Sequence, residues 1–350
     1  MDEVERLRAW SYARQRLGDP AATIEQALRS IVAVYSTHPT GPLSLRVRTR
    51  SFTAAGYRRL DRDRRALRIP AMRRTVFLVP REHAARIFTA VRPSSAHALR
   101  PLKRLGLSMQ VYEQCAERIL PAAREPLATR ELEDAAGIGG RELGTVLRCL
   151  RYEGRLLTRA GDSLLMSPHR YVATSAWAPE GLDAGNPSDA LAWLAGEYLR
   201  AYGPARLTDF AWWTGAAKGT AAEAIGALQT VDTGDGLRLL AEDEPAFDRI
   251  KPLRDQLELL PKWDAYTMGH APDSRRRFVH PDVQQRVYTP IGVGLPGDGN
   301  PVVLVDGQAV ATWTYTLKDG ASVQPFDTLG TRTRRRIDER LDAVAGLLAS

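Results

Sequence analysis

Cysteine is close to absent from this 350-residue chain, which carries only Cys115 and Cys149. Both fall in helical apolar patterns, with no CxxC or Cys/His spacing beside them. That excludes a disulfide frame or a zinc cage and leaves two small buried hydrophobes. Lysine is nearly as scarce: five of the 49 cationic residues, none near His38 in sequence, which argues against Schiff-base chemistry. Long hydrophobic runs are missing too. The longest, such as LRLLA and VVLV, fall far short of the ~20 residues that cross a bilayer. The segment MDEVERLRAW is charged and helical in pattern, without signal-peptide anatomy, so a cytoplasmic location with no membrane contact is expected. Walker, GxGxxG, GxSxG and HExxH signatures are all absent, so the expectation is no cofactor and no metal.

What is present is arginine. A formal net charge of +8 and a sequence pI near 9.7, with arginines clustered at expected hairpins, favour a polyanionic partner. The length suggests several domains.

Three segments repeat one plan. In the first, about 22–80, helical patterns lie at Ala22–Tyr35, Gly41–Arg50 and Thr53–Arg62, with strands at Leu67–Ile69 and Thr75–Val79. The second follows a helix at Leu107–Leu120. TRELEDAAGI reads as a short helix with Thr129 as N-cap and Glu131 and Glu133 in its first turn; Leu132 holds the position a full capping box needs. GRELGTVLRCLRYEG is a helix closed by Gly154, and RLLTRAGDSLLM a hairpin turning at Ala160-Gly161-Asp162. The third starts at Ala190 with an amphipathic helix to Gly203, then TDFAWWTG, TAAEAIGALQ and a hairpin turning at Gly234-Asp235-Gly236. Helices followed by a hairpin is the order of a winged-helix module, whose second helix can enter the major groove while the wing follows phosphates.

From Leu257 the pattern alternates. Asp306-Gly307 and Asp319-Gly320 mark tight turns, Trp313 should be largely buried, and Thr331–Leu348 reads as a closing helix, basic at its start. The fold class expected is therefore α+β: three tandem winged-helix domains (1–95, 96–180 and 181–250), followed by a small C-terminal antiparallel β-barrel or sheet domain, 251–350.

The chemistry is sought first at the end of the Ala22–Tyr35 helix, in Tyr35, Ser36, Thr37, His38 and Thr40. A neutral His38 imidazole can take a proton from water near pH 7, with Thr37 or Tyr35 orienting that water. The plainer alternatives are a half-buried histidine bonded to backbone and a core Tyr35. Asp264 either holds the water or orients His38, or it caps a turn. Arg68, Arg73 and Arg74 on the first hairpin are expected at phosphates, with Thr40 and the basic pair Arg275 and Arg276. Trp212 and Trp213 are adjacent and cannot both face inward, so one of them can line a groove or stack on a base.

ALRIPAMRRTVFLVPREH, LRAYGPARLTDFAWWTG, LELLPKWDAYTMG and VVLVDGQAVATW, in that order, resemble the YcaQ/AlkZ-like winged-helix DNA glycosylases over nearly the whole chain. The resemblance implies three tandem winged helices and a C-terminal β-barrel holding duplex DNA on a concave basic surface. It also implies cleavage of the N-glycosidic bond of N7-alkylated purines without flipping the base into a tight pocket. Some members excise bulky adducts left by a producer's own DNA-alkylating antibiotic, a self-resistance role. One departure stands out. The family's catalytic loop carries glutamine, an apolar residue, then glutamine or an acid, where this chain reads Tyr35-Ser36-Thr37 and then His38. The glutamine roles do not carry over, so either His38 and Thr37 replace them or the chain binds adducts without cutting.

Three readings follow: a monofunctional glycosylase acting on N7-alkylguanine in double-stranded DNA, with His38 as its base and Asp264 next in line; a non-catalytic DNA-binding regulator or lesion shield; and a scaffold for protein partners. The first is preferred, as a nucleoid-associated monomer.

Overall fold

The computed structural model describes residues 1–166, 168–289 and 297–349. Fourteen strands lie in four antiparallel sheets among these residues. In chain order they are β1 Val34–Tyr35, β2 Ala66–Pro70, β3 Val76–Pro80, β4 Leu127–Ala128, β5 Leu156–Arg159, β6 Arg170–Ala173, β7 Thr230–Asp232, β8 Arg238–Leu240, β9 Leu257–Leu260, β10 Tyr288–Thr289, β11 Asp298–Gly299, β12 Val302–Val305, β13 Gln308–Thr316 and β14 Gly320–Pro325.

The first segment departs from its reading at one point that matters. The helix expected over Ala22–Tyr35 stops at Ser30, having begun at Ile24 behind the Thr23 cap. Val32 takes a left-handed φ of +65°, and Val34-Tyr35 then pair with Leu78 and Phe77 of β3. Ile31, Val32 and Val34 are β-branched, which lowers helix propensity and suits a pleated edge. Tyr35 therefore ends a strand and not a helix. Helices Thr40–Arg46 and Ala54–Arg62 follow, the latter capped by Thr53 as the pattern indicates.

β2 pairs with β5 at Arg68 and Thr158, which joins the hairpins of the first two segments into one six-stranded sheet of order β1-β3-β2-β5-β6-β4. The second hairpin does not return through LLM. Its return strand is Arg170–Ala173, and Leu164, 1% exposed, packs into the core of the first segment. The short helix before it starts one residue earlier than read: Ala128 is the N-cap, and the Glu131 carboxylate accepts its N–H at 2.7 Å. Cys115 and Cys149 are free and buried. In the third segment the helices Pro187–Tyr202, Leu207–Thr214 and Lys218–Gly226 precede the β7–β8 hairpin.

The barrel expectation is corrected. Among the described residues the C-terminal part holds an open four-stranded sheet, β14-β13-β12-β9, and a separate ribbon β10-β11, with no closure of β14 onto β9. The sheet alternative stands. Asp306 (φ +47°) and Gly307 (φ +76°) make its first turn, and Trp313 is 3% exposed with its indole N–H on the Leu260 carbonyl at 2.9 Å. The closing helix, Thr331–Ala349, covers this sheet with Ile337, Leu341, Val344 and Leu348. Its basic start is largely neutralised: Arg332 and Arg336 face Asp255, and Arg335 faces Glu339. The QRVYTPIGV reading falls partly on residues outside those described. No helix among the described residues is long and apolar enough to cross a membrane.

Candidate active site

The sequence points to the loop after β1, and the structure divides its residues into two environments. On the inner side His38 is held from both ends. Its Nδ1 lies 2.6 Å from the Ser163 carbonyl and its Nε2 3.1 Å from the Tyr57 hydroxyl. A carbonyl only accepts, so Nδ1 carries the proton; Nε2 then accepts from Tyr57, whose oxygen accepts in turn from Arg68 at 3.1 Å. Burial first, and then the Arg68 charge, push the imidazole down to about 4, so it is neutral at pH 7. Gly41 permits this packing: a Cβ there would stand 2.8 Å from the Tyr57 hydroxyl. This is the backbone-bonded histidine that stood as the plainer alternative to His38 as the base. Its one lone pair is already occupied by Tyr57, so a water cannot be activated there without breaking that bond.

Arg68 is corrected as well. It is 3% exposed and makes two-pronged bonds to Asp61 (2.8 and 3.1 Å), plus one to the Ser36 carbonyl at 2.6 Å. It braces the loop from beneath and cannot reach a phosphate. Asp264 does not face His38. Fully buried, it takes Arg48 in a bidentate pair (2.7 and 2.9 Å), accepts from Ser44 at 2.6 Å, and caps the helix Ala265–Met268 through the Tyr266 N–H. With its acceptor positions filled it holds no catalytic water; it caps a turn. Thr40 donates to the Lys262 carbonyl at 2.9 Å, which ties the loop to the C-terminal part. His270 is buried, bonded to the Tyr202 carbonyl and pushed well below the ordinary imidazole value by burial; it too is a packing group.

The outer side of the loop is different. Tyr35 is half-buried, its ring 4.3 Å from Phe77 and 5.8 Å from Trp263. Trp212, half-buried, carries two guanidiniums: Arg73 at 4.6 Å and Arg275 at 4.9 Å from its ring centre. Trp213 turns inward against Tyr198 and Tyr202, so the adjacent tryptophans split between core and surface. Arg275 also lies 4.1 Å from the Tyr288 ring. Lys262 sits over Trp263 and pairs with Asp298 at 3.1 Å. Burial raises the Tyr35 hydroxyl pKa; the charges of Arg73 and Arg275 pull it down and that of Asp298 pushes it up. Thr37 Oγ1 is buried without a partner. Arg73 and Arg74 are exposed at the hairpin tip with positive φ and have no acidic partner among the described residues. Arg276 is exposed, with Asp235 4.0 Å away.

Asp298, Lys262 and Trp263 escaped the sequence reading. For Lys262 and Trp263 the signal available was their place beside Asp264 in PKWD; for Asp298 the sequence offered none. Among the described residues no group of His, Cys, Asp and Glu is placed to hold a metal.

Half-buried aromatic rings carrying arginines that have no acidic partner among the described residues suit a nucleic-acid surface, and the class they define is a DNA-binding protein. Residues 28–347 match the family described as DNA glycosylase AlkZ-like, so the chain belongs to that family and is a DNA glycosylase, an enzyme of DNA repair. Among solved structures it is similar to Streptomyces sahachiroi DNA glycosylase AlkZ, with 20% identity, a TM-score of 0.79, and coverage of 98% of this chain and 96% of that one. At that identity the likeness speaks for the fold. No curated protein sequence matches the chain.

Proposed function

We propose that the enzyme hydrolyses the N-glycosidic bond of N7-alkylguanine in duplex DNA, with bulky natural-product adducts as the preferred substrates. In this reading the three helix-and-hairpin segments are winged helices, and the outer face of the Tyr35 loop meets the DNA. The observation that carries it is the group of half-buried rings Tyr35, Trp263 and Trp212, with Arg73 and Arg275 on the Trp212 ring and the Lys262–Asp298 pair over Trp263.

The chemistry needs little more. The C1′–N9 bond breaks with its electron pair moving to N9, and the cationic N7-alkylguanine leaves as a neutral base. Acid assistance is therefore dispensable. The sugar becomes oxocarbenium-like, and water adds at C1′ and loses a proton, leaving an abasic site. The hydroxyls of Tyr35 and Thr37 orient that water. The Asp298 carboxylate offers negative charge to the sugar cation and accepts the proton, and the aromatic rings offer stacking area to a large adduct. His38 acts through the loop as a positioning residue.

The test is single-turnover release of base from N7-alkylated duplex. Asp298→Asn should slow it by about 10²-fold or more, and Tyr35→Phe with Thr37→Ala should slow it while leaving duplex affinity nearly intact. Wild-type rates in both variants would move the chemistry away from this face.

A further inference from the structure

Arg275 is 1% exposed, yet its guanidinium has no carboxylate within ion-pair distance among the described residues. Its Nε donates to the His270 carbonyl at 3.3 Å, while Nη2 is buried with no partner. Arg48 and Arg68, equally buried, each hold an aspartate in a two-pronged pair. Asp209 is the carboxylate whose charge reaches Arg275, but its oxygens already serve Ala271 N–H, Ser274 and Arg206 N–H. An unpaired buried cation is costly, and a second one makes it worse. Arg73 supplies that second charge on the same indole, from a tip packed against Gly215, where an added Cβ would touch Arg73 Cγ at 3.5 Å. Arg275 is held before any ligand arrives, by the His270 carbonyl and the Trp212 and Tyr288 rings, and Arg73 stands over the same indole from the exposed tip. The arrangement lacks one anion.

We propose that Arg275 and Arg73, stacked on Trp212, form a site for a single phosphate oxyanion, and that its occupant is a phosphodiester of the duplex. The identity of the occupant rests on the glycosylase reading; the anion site does not. Arg73, exposed, makes the direct contact, and Arg275 supplies fixed charge from behind it. The phosphodiester bound there lies beside the Tyr35 loop and sets the register of the lesion against Asp298.

The experiment uses the full chain and undamaged duplex, with binding measured across a salt series for wild type and Arg275→Met, and melting measured with and without inorganic phosphate at constant ionic strength. Removing an unpaired buried charge should leave the melting temperature unchanged or higher. The slope of log affinity against log salt should fall in magnitude by about 1, and stabilisation by phosphate should be lost. An unchanged slope with lost phosphate stabilisation keeps the oxyanion site and overturns the DNA occupant. If Arg275→Met melts lower and alters neither readout, the arginine is a packing group and the proposal is wrong. Base release by wild type is read in parallel: its absence, with the slope difference intact, defeats the glycosylase reading and leaves the phosphate site standing.

Discussion

Arg68 and Arg73 stand five residues apart on one hairpin and take opposite roles. Sequence alone reads both as surface cations, because the partner that buries Arg68 is Asp61, seven residues earlier on a different element. Breaking a buried pair leaves an uncompensated charge, so Asp61→Ala should cost about 3–5 kcal/mol of stability. Denaturant melts would register it, and duplex binding of the still-folded fraction should be unchanged. His38 gives a second residue-scale prediction. Its folded value of about 4 lies below the ordinary 6.5, so the folded state disfavours the proton. The stability it contributes is therefore complete above 6.5 and is lost as pH falls toward 4. His38→Gln should flatten that part of the stability profile relative to wild type, whereas base release between pH 6 and 8 should show no step from His38. A step there that disappears in His38→Gln would restore the histidine as the base.

At the scale of elements, the first hairpin is the part most exposed to test. Its tip holds Arg73 and Arg74 in left-handed backbone without acidic partners among the described residues, so their charge is available to phosphates. Replacing both by alanine should weaken duplex binding similarly across sequences and flatten the salt dependence; undiminished affinity would take the hairpin off the DNA. Element order and type were legible wherever helix ends and turns spoke clearly, as at Gly154 and Asp306-Gly307. They were not legible at Ile31–Tyr35, where an apolar run continues the helical pattern but β-branched residues turn it into an edge strand. Nor could pattern reveal that LLM after β5 leaves the sheet, since Leu164 is drawn off by a distant apolar core.

Across the whole molecule, the candidate site is made from segments that are remote in sequence: the β1 loop, the first hairpin tip, the Leu207–Thr214 helix, the turn at Lys262–Trp263, and Arg275, Tyr288 and Asp298. Motifs pointed to Tyr35, Thr37, Arg73, Trp212 and Arg275 as candidates, and the structure sets Arg73 and Arg275 on the Trp212 ring. They could not show that His38 is held between Ser163 and Tyr57, or that Lys262 pairs with Asp298 beside Trp263, because those facts depend on how segments remote in sequence pack together. One core unites Val32, Val172 and Leu240, so alignment among these parts is built into the fold.

The most direct measurement is release of free base from duplex DNA treated with simple and bulky N7-alkylating agents, followed by single-turnover chromatography. The account predicts that wild-type enzyme liberates N7-alkylguanine and leaves an abasic site, faster with bulky adducts, and that Asp298→Asn loses most of that rate while still binding the duplex. Binding without release of any alkylated base would contradict it, and would make the chain a lesion-binding protein on a glycosylase fold.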